Sequence, residues 1–235
     1  MKITLFVWRI HTSAIPFAFF RMALDRFYLR KLTGLTFYKL LGTGKGQSFT
    51  PRDADLWQWG LLVVGDEKSI SQIKNSRLLE RWNARSRERA QFDLRTLSAH
   101  GKWAKQEPFL KFEPSSADPE KNAPVIAAIT RARIKWSKNL IFWRAVPPVI
   151  EALERAPGLI AAIGIGEAPI GLQGTFSLWR DGKSLRDFAY KSSEHNRAIS
   201  ATAEVGWYSE ELFARFEVES ATGSLNGIAL NNTAD

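Results

Sequence analysis

Two short stretches of the chain match each other: Asp66-Glu67-Lys68-Ser69-Ile70 and, 115 residues later, Asp181-Gly182-Lys183-Ser184-Leu185. Aspartate, lysine and serine occupy the same places, and an aliphatic residue ends both stretches. At a second offset of 124 residues, the matched pairs are Arg9-Ile10 with Arg133-Ile134, Gly34-Leu35 with Gly158-Leu159, and Gly42 with Gly166. The change of offset indicates a shorter loop in the second half. Matches held in register over this distance predict that the chain consists of two copies of one unit.

Each copy is predicted to contain strands and helices in the order βαββαβ. In the first copy, apolar residues from Phe17 to Phe27 have helical spacing, and Gly34 ends that helix. The predicted strands of this copy are 3–10, 35–41, 56–64 and 91–97, and its predicted helices are 16–32 and 67–87.

The second copy repeats this order. Pro147 and Pro148 fall inside its first helix and predict a kink there. The predicted strands are 125–134, 159–165, 174–179 and 214–219, and the predicted helices are 138–155 and a second one from Ser184 onward.

This element order predicts an α+β fold made of ferredoxin-like units, in which helices cover only one face of each sheet. The uncovered faces need a partner, so the two units are expected to pack sheet against sheet as a pseudo-dimeric α/β barrel with a cavity inside. The predicted organisation is a first repeat at 1–104, a linker rich in proline and serine at 105–123, a second repeat at 124–225 and a flexible tail at 226–235.

The composition of the chain excludes several kinds of site and favours certain partners. The 235 residues include no cysteine, which excludes disulfides, thiolate-ligated haem, protein-ligated iron–sulfur clusters, cysteine nucleophiles and cysteine zinc sites. The formal net charge of +9 favours an acidic partner or an anionic membrane surface as well as nucleic acid. Basic residues alternate with acidic ones, as in Arg85, Arg87, Glu88 and Arg89, which is typical of a solvated surface. Nucleic acid is therefore not expected as a partner.

Neither a signal peptide nor a membrane span is predicted. The first apolar run ends at Arg9 without a small-residue cleavage site. Longer apolar stretches are interrupted by charged residues well before the roughly 18 residues that a span requires. We expect a cytoplasmic protein, with peripheral contact to the inner membrane as an additional expectation.

Among the histidines, His195 has the most distinctive surroundings. It extends an inward-facing helical stripe that consists of Leu185, Phe188, Ala189, Ser192, His195 and Ile199. One interpretation is a buried neutral histidine that is hydrogen-bonded to a neighbour. The other is an axial ligand of a haem iron, which one imidazole in an apolar cavity commonly provides. His11 and His100 are predicted to be surface or structural residues.

Arg9 and Arg133 are equivalent in the repeat and end their first strands. They are predicted either to form salt bridges at the sheet edge or to pair with ligand carboxylates such as haem propionates. The nine tryptophans and 15 phenylalanines account for core packing, but they would also suit a long polyene or macrocyclic ligand.

Several segments resemble the spheroidene monooxygenase family. They are Gly34 to Pro51, Arg81-Trp82, Gly101-Lys102-Trp103, Pro108-Phe109, and His195 through the segment Gly206 to Phe216. The resemblance implies an oxygenase of bacterial carotenoid biosynthesis that introduces a keto group at C-2 of spheroidene. It also implies haem as the cofactor, O2 as the oxidant, reduced ferredoxin as the electron donor and a fold of the same barrel superfamily.

The resemblance and the stripe together favour His195 as the iron ligand. Arg9 and Arg133 would then contact the cofactor, and Arg133 is also the first choice for a catalytic distal group. Two alternatives stay open: a haem lyase or peroxidase-like enzyme on the same barrel, and a non-catalytic barrel that carries haem or an apolar molecule. A carotenoid substrate would have to be collected at a lipid surface, which the positive net charge would aid.

Overall fold

The computed structural model of the chain describes residues 1–44, 53–109, 124–138, 147–167, 172–191 and 208–230. Clustering of spatial contacts divides the chain into two compact units. Unit 1 comprises 1–43, 55–95 and 218–235, and unit 2 comprises 44–54 and 96–217. Both units combine helices with antiparallel strands, so the α+β class predicted from the sequence is confirmed.

The first seven helices and strands follow the predicted βαββαβ order of the first copy, with the second helix divided in two. The elements are β1 Lys2–Ile10, α1 Ile15–Leu29, β2 Leu35–Gly44, β3 Ala54–Gly65, α2 Glu67–Lys74, α3 Arg77–Asn83 and β4 Ser86–Gly101. β1 pairs antiparallel with β3 on one side and with β4 on the other, and β2 flanks β3. Because β1 is central, its residues Ile3 to Trp8 are almost fully buried, and its sequence is a nearly continuous apolar run.

The predicted helix at 67–87 is wrong as a single element. The chain leaves helical geometry at Asn75, and Ser76 starts α3 as an N-cap. The Ser76 hydroxyl oxygen accepts a hydrogen bond from the Leu79 N–H at 3.4 Å and donates one to the Ile73 carbonyl at 2.7 Å. A serine hydroxyl can replace backbone hydrogen bonds of a helix in this way. The helix therefore ends here, although the apolar residues keep their helical spacing across the break.

Unit 2 contains β5 Ile126–Ile134, α4 Pro147–Glu154, β6 Leu159–Gly166, β7 Leu172–Trp179, α5 Gly182–Lys191 and the first part of β8 Tyr208–Leu225. β5 pairs antiparallel with β7 and β8, and β7 also pairs with β6. The strand order β8-β5-β7-β6 therefore has the same form as β4-β1-β3-β2 in unit 1. The predicted kink at the proline pair coincides with the start of α4, and residues 139–146 lie outside the described part.

The matched stretches form the same local structure in both units. Asp66 accepts a hydrogen bond from the Ser69 N–H, and Asp181 accepts one from the Ser184 N–H, both at 2.7 Å. Hydrogen bonding lowers the pKa of both aspartates. The matched glycines, Gly34 and Gly158, have φ of 87° and 84°, which explains why glycine occupies both positions.

The chain end forms a hairpin over the residues that are described. β9, at Ile228–Ala229, pairs antiparallel with Ser224 and Leu225 at the end of β8. Contacts assign residues 218–235 to unit 1, so β8 is divided between the two units. Most of the predicted linker, from 110 to 123, lies outside the described residues. Within the described ranges, no helix is both long enough and apolar enough to cross a bilayer.

Candidate functional site

A buried arginine on β5 organises a cluster of charged residues in the described part of unit 2. Arg131 is only 3% exposed. Its guanidinium forms ion pairs with Glu210, at the start of β8, and with Glu167, which follows β6, where the nitrogen–oxygen distance is 3.1 Å. A buried cation requires such partners, because an unpaired charge in the protein interior is strongly unfavourable.

Trp103 closes this cluster from one side. Its indole N–H donates a hydrogen bond of 2.6 Å to the Glu167 carboxylate. The Arg131 guanidinium carbon lies 5.8 Å from the centre of the indole ring, within the range of a cation–π contact. Trp103 reaches this position because Gly101, with φ of 90°, brings the end of β4 directly against the backbone of Glu211. A Cβ at Gly101 would lie 2.2 Å from the Glu211 carbonyl oxygen, so only glycine fits.

Glu210 also fixes the loop that follows Trp103. Ala104 and Lys105 have φ of 54° and 64°, a conformation that costs free energy for residues with a Cβ. Their backbone N–H groups donate hydrogen bonds of 3.0 and 2.6 Å to the two carboxylate oxygens of Glu210. Burial acts to raise the pKa of Glu210, but these hydrogen bonds and the Arg131 guanidinium outweigh it and hold the pKa below its usual value. Glu210 is therefore an ionised carboxylate that joins the loop to β5.

Arg133 lies two residues beyond Arg131 and therefore on the same face of β5. Its side chain is 48% exposed, and its Nε atom is 3.9 Å from Glu210. Since Glu210 is already bound by Arg131 and by two backbone N–H groups, the Arg133 guanidinium retains, among the described residues, hydrogen-bonding capacity for an anion. Of the residues predicted from the sequence, Arg133 is the one that the structure places at this cluster.

Arg9 occupies the equivalent strand end in unit 1, but its donors are engaged. Its guanidinium lies 3.1 Å from Asp55 and 3.5 Å from Glu88, and it donates a hydrogen bond of 3.3 Å to the Asn226 side chain. A cofactor carboxylate at Arg9 would have to compete with these partners. The cofactor-binding role of Arg9 stays a prediction.

His195 lies outside the described residues. The other two histidines, His11 and His100, are exposed, as predicted for surface positions. Within the described ranges, no group of three or more histidine, aspartate or glutamate residues has the geometry of a metal site. A haem iron requires only one axial protein ligand, and its propionates require cations. The half-exposed guanidinium of Arg133 fits the second requirement.

Sequence reasoning missed four residues of the cluster: Trp103, Arg131, Glu167 and Glu210. One signal was available, since Arg131 and Arg133 alternate within a predicted strand and must share a face. The pairing itself could not be found, because the partners of Arg131 come from segments 36 and 79 residues away.

The fold has a solved counterpart. The crystal structure of aldoxime dehydratase aligns with 92% of this chain and 80% of its own length, with a TM-score of 0.57 and 12% sequence identity. At this identity, the likeness concerns the fold alone. No family model matches the chain. Fold and site together define an α+β protein of mainly antiparallel strands, with a buried arginine–carboxylate cluster next to a half-exposed arginine.

Two relatives then identify the family. The chain is 37% identical to spheroidene monooxygenase of Rhodobacter capsulatus over 219 residues, which are 92% of this chain and 89% of the relative. It is 33% identical to spheroidene monooxygenase of Cereibacter sphaeroides over 211 residues, which are 88% of this chain and 63% of that relative. The chain belongs to the spheroidene monooxygenase family, as its motifs predicted, and it is an oxidoreductase of the monooxygenase type.

Proposed function

We propose that the protein is a haem-dependent carotenoid monooxygenase that introduces a keto group at C-2 of spheroidene or a related apolar substrate. The observation that carries the proposal is the 37% identity to a spheroidene monooxygenase over 92% of the chain. Reduced ferredoxin is proposed as the electron donor and O2 as the oxidant. The overall change replaces two hydrogens on one carbon by a doubly bonded oxygen.

The stoichiometry follows from this change. A first hydroxylation converts the CH2 group to CHOH, with consumption of one O2, two electrons and two protons and release of one water. A second hydroxylation at the same carbon has the same requirements and gives a geminal diol, which loses water to form the ketone. Ferredoxin-type donors supply single electrons, so four reduced donors are consumed for each ketone formed.

The proposed architecture consists of two ferredoxin-like repeats, 1–104 and 124–225, that form a pseudo-dimeric barrel around the substrate. The equal form of the two strand orders supports the repeat. The equivalent aspartate caps at Asp66 and Asp181 support it further. Residues 105–123 are proposed to link the two repeats, and residues 226–235 to form a tail.

In the proposed site, His195 would hold the haem iron, and Arg133 would donate hydrogen bonds to a cofactor carboxylate or to a developing negative charge. When bound, the haem activates O2 for insertion into a C–H bond. Arg131, Glu210 and Trp103 act as positioning residues, because they fix the end of β5 and hence the direction of Arg133. Arg9 is proposed as a second contact to the cofactor.

We further propose a cytoplasmic location at the surface of the inner membrane, where a carotenoid dissolved in lipid is accessible. The net charge of +9 supports contact with an acidic electron donor and with anionic lipid. Nucleic acid is not part of the proposal.

Two measurements test the proposed function. Protein purified after haem supplementation is expected to show a Soret band. With reduced ferredoxin, O2 and spheroidene it is expected to form a product heavier by one oxygen less two hydrogens. Turnover of peroxide or an aldoxime without reductant, in place of this product, would support the lyase or peroxidase-like alternative. A Soret band without an oxy complex on reduction in air would support a carrier.

A further inference from the structure

We propose that α1 and the arginine-lined cavity beside it form a docking surface for membranes that contain anionic phospholipid. In this arrangement, the exposed aromatic residues of α1 enter the bilayer interface and the arginines of the cavity bind the lipid phosphate. The inference rests on the proposed function in one respect: a carotenoid substrate resides in lipid. The surface itself is defined by unit 1 alone.

The exposed face of α1 is apolar. Phe20 is 63% exposed, Leu24 37% and Phe27 57%. These residues are spaced i, i+4 and i+7, so they lie along one side of the helix. Single exposed apolar residues are ordinary on protein surfaces, but a continuous stripe of large ones marks an interaction surface. A third exposed aromatic residue, Phe19, borders this stripe.

The charges on and next to α1 favour binding to an anionic partner. The one carboxylate within α1, Asp25, is fully buried, paired with Arg21 and hydrogen-bonded by the indole N–H of Trp82 at 2.9 Å. The exposed charges on the helix and at its C-terminal end are all basic, namely Arg26, Arg30 and Lys31. An apolar stripe bordered by cations is typical of helices that lie in the interface of anionic membranes. A second copy of this chain would instead bring like charges together.

The cavity adjoins this stripe. Its volume is about 450 Å³, and its lining includes Arg21 and Tyr28 from α1 together with Gln72, Asn75, Arg77 and Arg81. Arg21 follows Phe20 and Tyr28 follows Phe27, so the cavity lies roughly 100° around the helix from the apolar stripe. A lipid whose acyl chains contact the stripe would thus bring its headgroup to the arginines.

The polar groups of the cavity suit a phosphate. Arg77 and Arg81 are exposed, whereas the Arg21 side chain is 14% exposed. The Nε atom of Arg21 is buried and has no hydrogen-bond partner among the described residues. Glu80, the carboxylate that lies between Arg77 and Arg81 in sequence, is not part of the lining. The exposed guanidinium groups of Arg77 and Arg81 are the groups that suit the oxygens of a phosphate, while Arg21 is paired with Asp25.

The test is co-sedimentation of the full-length protein with vesicles of phosphatidylcholine alone or with added phosphatidylglycerol. We expect strong preference for the anionic vesicles, and weaker binding as salt increases. Phe20→Ser with Phe27→Ser is expected to lower binding at least about tenfold. Arg77→Gln with Arg81→Gln is expected to lower binding to anionic vesicles roughly ten- to thirtyfold, with little change for neutral ones.

Matched controls come from other exposed positions. Phe213→Ser on β8 and Arg155→Gln next to α4 remove an exposed aromatic ring and an exposed cation elsewhere, and both are expected to bind like the parent protein. Equal binding to neutral and anionic vesicles would overturn the proposal, and so would α1 variants that match these controls. Full competition by millimolar inorganic phosphate would indicate a site for free phosphate instead. A concentration-dependent dimer that is lost in the Phe20 and Phe27 variant would indicate self-association.

Detergent-solubilised carotenoid separates this inference from the proposed function. If the enzyme oxidises that substrate but does not bind vesicles, docking fails and the function stands. If it binds vesicles but oxidises no carotenoid in either form, the proposed function fails and the docking surface stands.

Discussion

The ends of β1 and β5 share the sequence Arg-Ile and the same β-bulge after the arginine, yet their charges are arranged differently. In both, a glutamate lies opposite the arginine on the neighbouring strand: Glu88 opposite Arg9 and Glu210 opposite Arg133. In unit 1 that glutamate pairs with Arg9. In unit 2 it pairs more closely with Arg131.

One sequence difference contributes to this contrast, in addition to the pairing of Arg9 with Asp55. Two residues before Arg9 the strand has Val7, which is buried in the core, whereas two residues before Arg133 it has Arg131. The extra buried cation takes the glutamate and leaves the second arginine half-exposed. The arginine of unit 1 is thus held in ion pairs, while the matched arginine of unit 2 stays half-exposed.

The largest expected effect concerns the proposed cofactor ligand, His195, which lies in the sequence of unit 2. His195→Ala is expected to abolish the Soret band of haem-supplemented protein while the fold is retained, and exogenous imidazole should restore the band. At the offset of 115 residues, unit 1 has Glu80, so a second ligand is not expected there. Absorbance spectroscopy of the parent protein and the His195 variant, with and without imidazole, measures the Soret band.

His100→Ala is the matched control, since His100 is exposed. It is expected to retain full haem content. An unchanged spectrum in the His195 variant would refute the assignment of the ligand.

The second-largest effect is expected from a substitution that removes the buried arginine of the charged cluster in unit 2. Arg131→Met leaves the Glu167 and Glu210 carboxylates without their buried cation, and the carboxylate that holds the Ala104–Lys105 loop then has only the half-exposed Arg133 at 3.9 Å as a charged partner among the described residues. We expect the free energy of unfolding to fall by about 3 kcal/mol. Urea denaturation measures this.

Arg133→Met, at the half-exposed position, is the control and should change stability by about 0.5 kcal/mol or less. Similar losses in both variants would show that Arg131 does not hold the cluster together.

The third effect compares the two matched arginines directly. Arg133→Gln is expected to weaken haem binding about tenfold, because a charge-assisted hydrogen bond to a propionate is lost. Arg9→Gln should weaken it about twofold or less, since Asp55 and Glu88 already occupy that guanidinium. Haem titration followed by absorbance distinguishes them, and an equal loss would mean that both strand ends bind the cofactor.

Much of the fold could be predicted from local patterns in the sequence. The candidate site could be predicted only in part. The Asp66 and Asp181 stretches were found as matched segments of the repeat, and in the structure both aspartates cap a helix by accepting a hydrogen bond from a residue three positions later. The break at Ser76 was missed because apolar spacing continued through it. Arg133 was found from the repeat, whereas the role of Arg131 depends on carboxylates that only the folded chain brings together.

The smallest expected effect contrasts one carboxylate from each unit. In unit 1, burial raises the pKa of Asp25, and the Trp82 and Arg21 contacts only partly oppose this. In unit 2, hydrogen bonds and Arg131 lower the pKa of Glu210 despite its burial. A lowered pKa means that the unfolded chain binds more protons, so the Glu210 contribution is complete above the unfolded pKa and is lost as pH falls through the folded value.

The contribution of Asp25 to the pH dependence of stability has the opposite sign. Its carboxyl group keeps the proton to higher pH in the folded protein than in the unfolded chain, so it lowers stability progressively as pH rises from its unfolded pKa to its folded pKa. Urea denaturation from pH 3 to pH 7 should therefore show a shallower rise of stability with pH for Glu210→Gln than for the parent protein. Asp25→Asn should show a steeper rise. The slope of stability against pH is the quantity to compare, because both substitutions also change hydrogen bonds that do not depend on pH. Slopes that change in the same direction would mean that the two carboxylates do not have opposite electrostatic environments, and the contrast between the units would then be limited to the arginines.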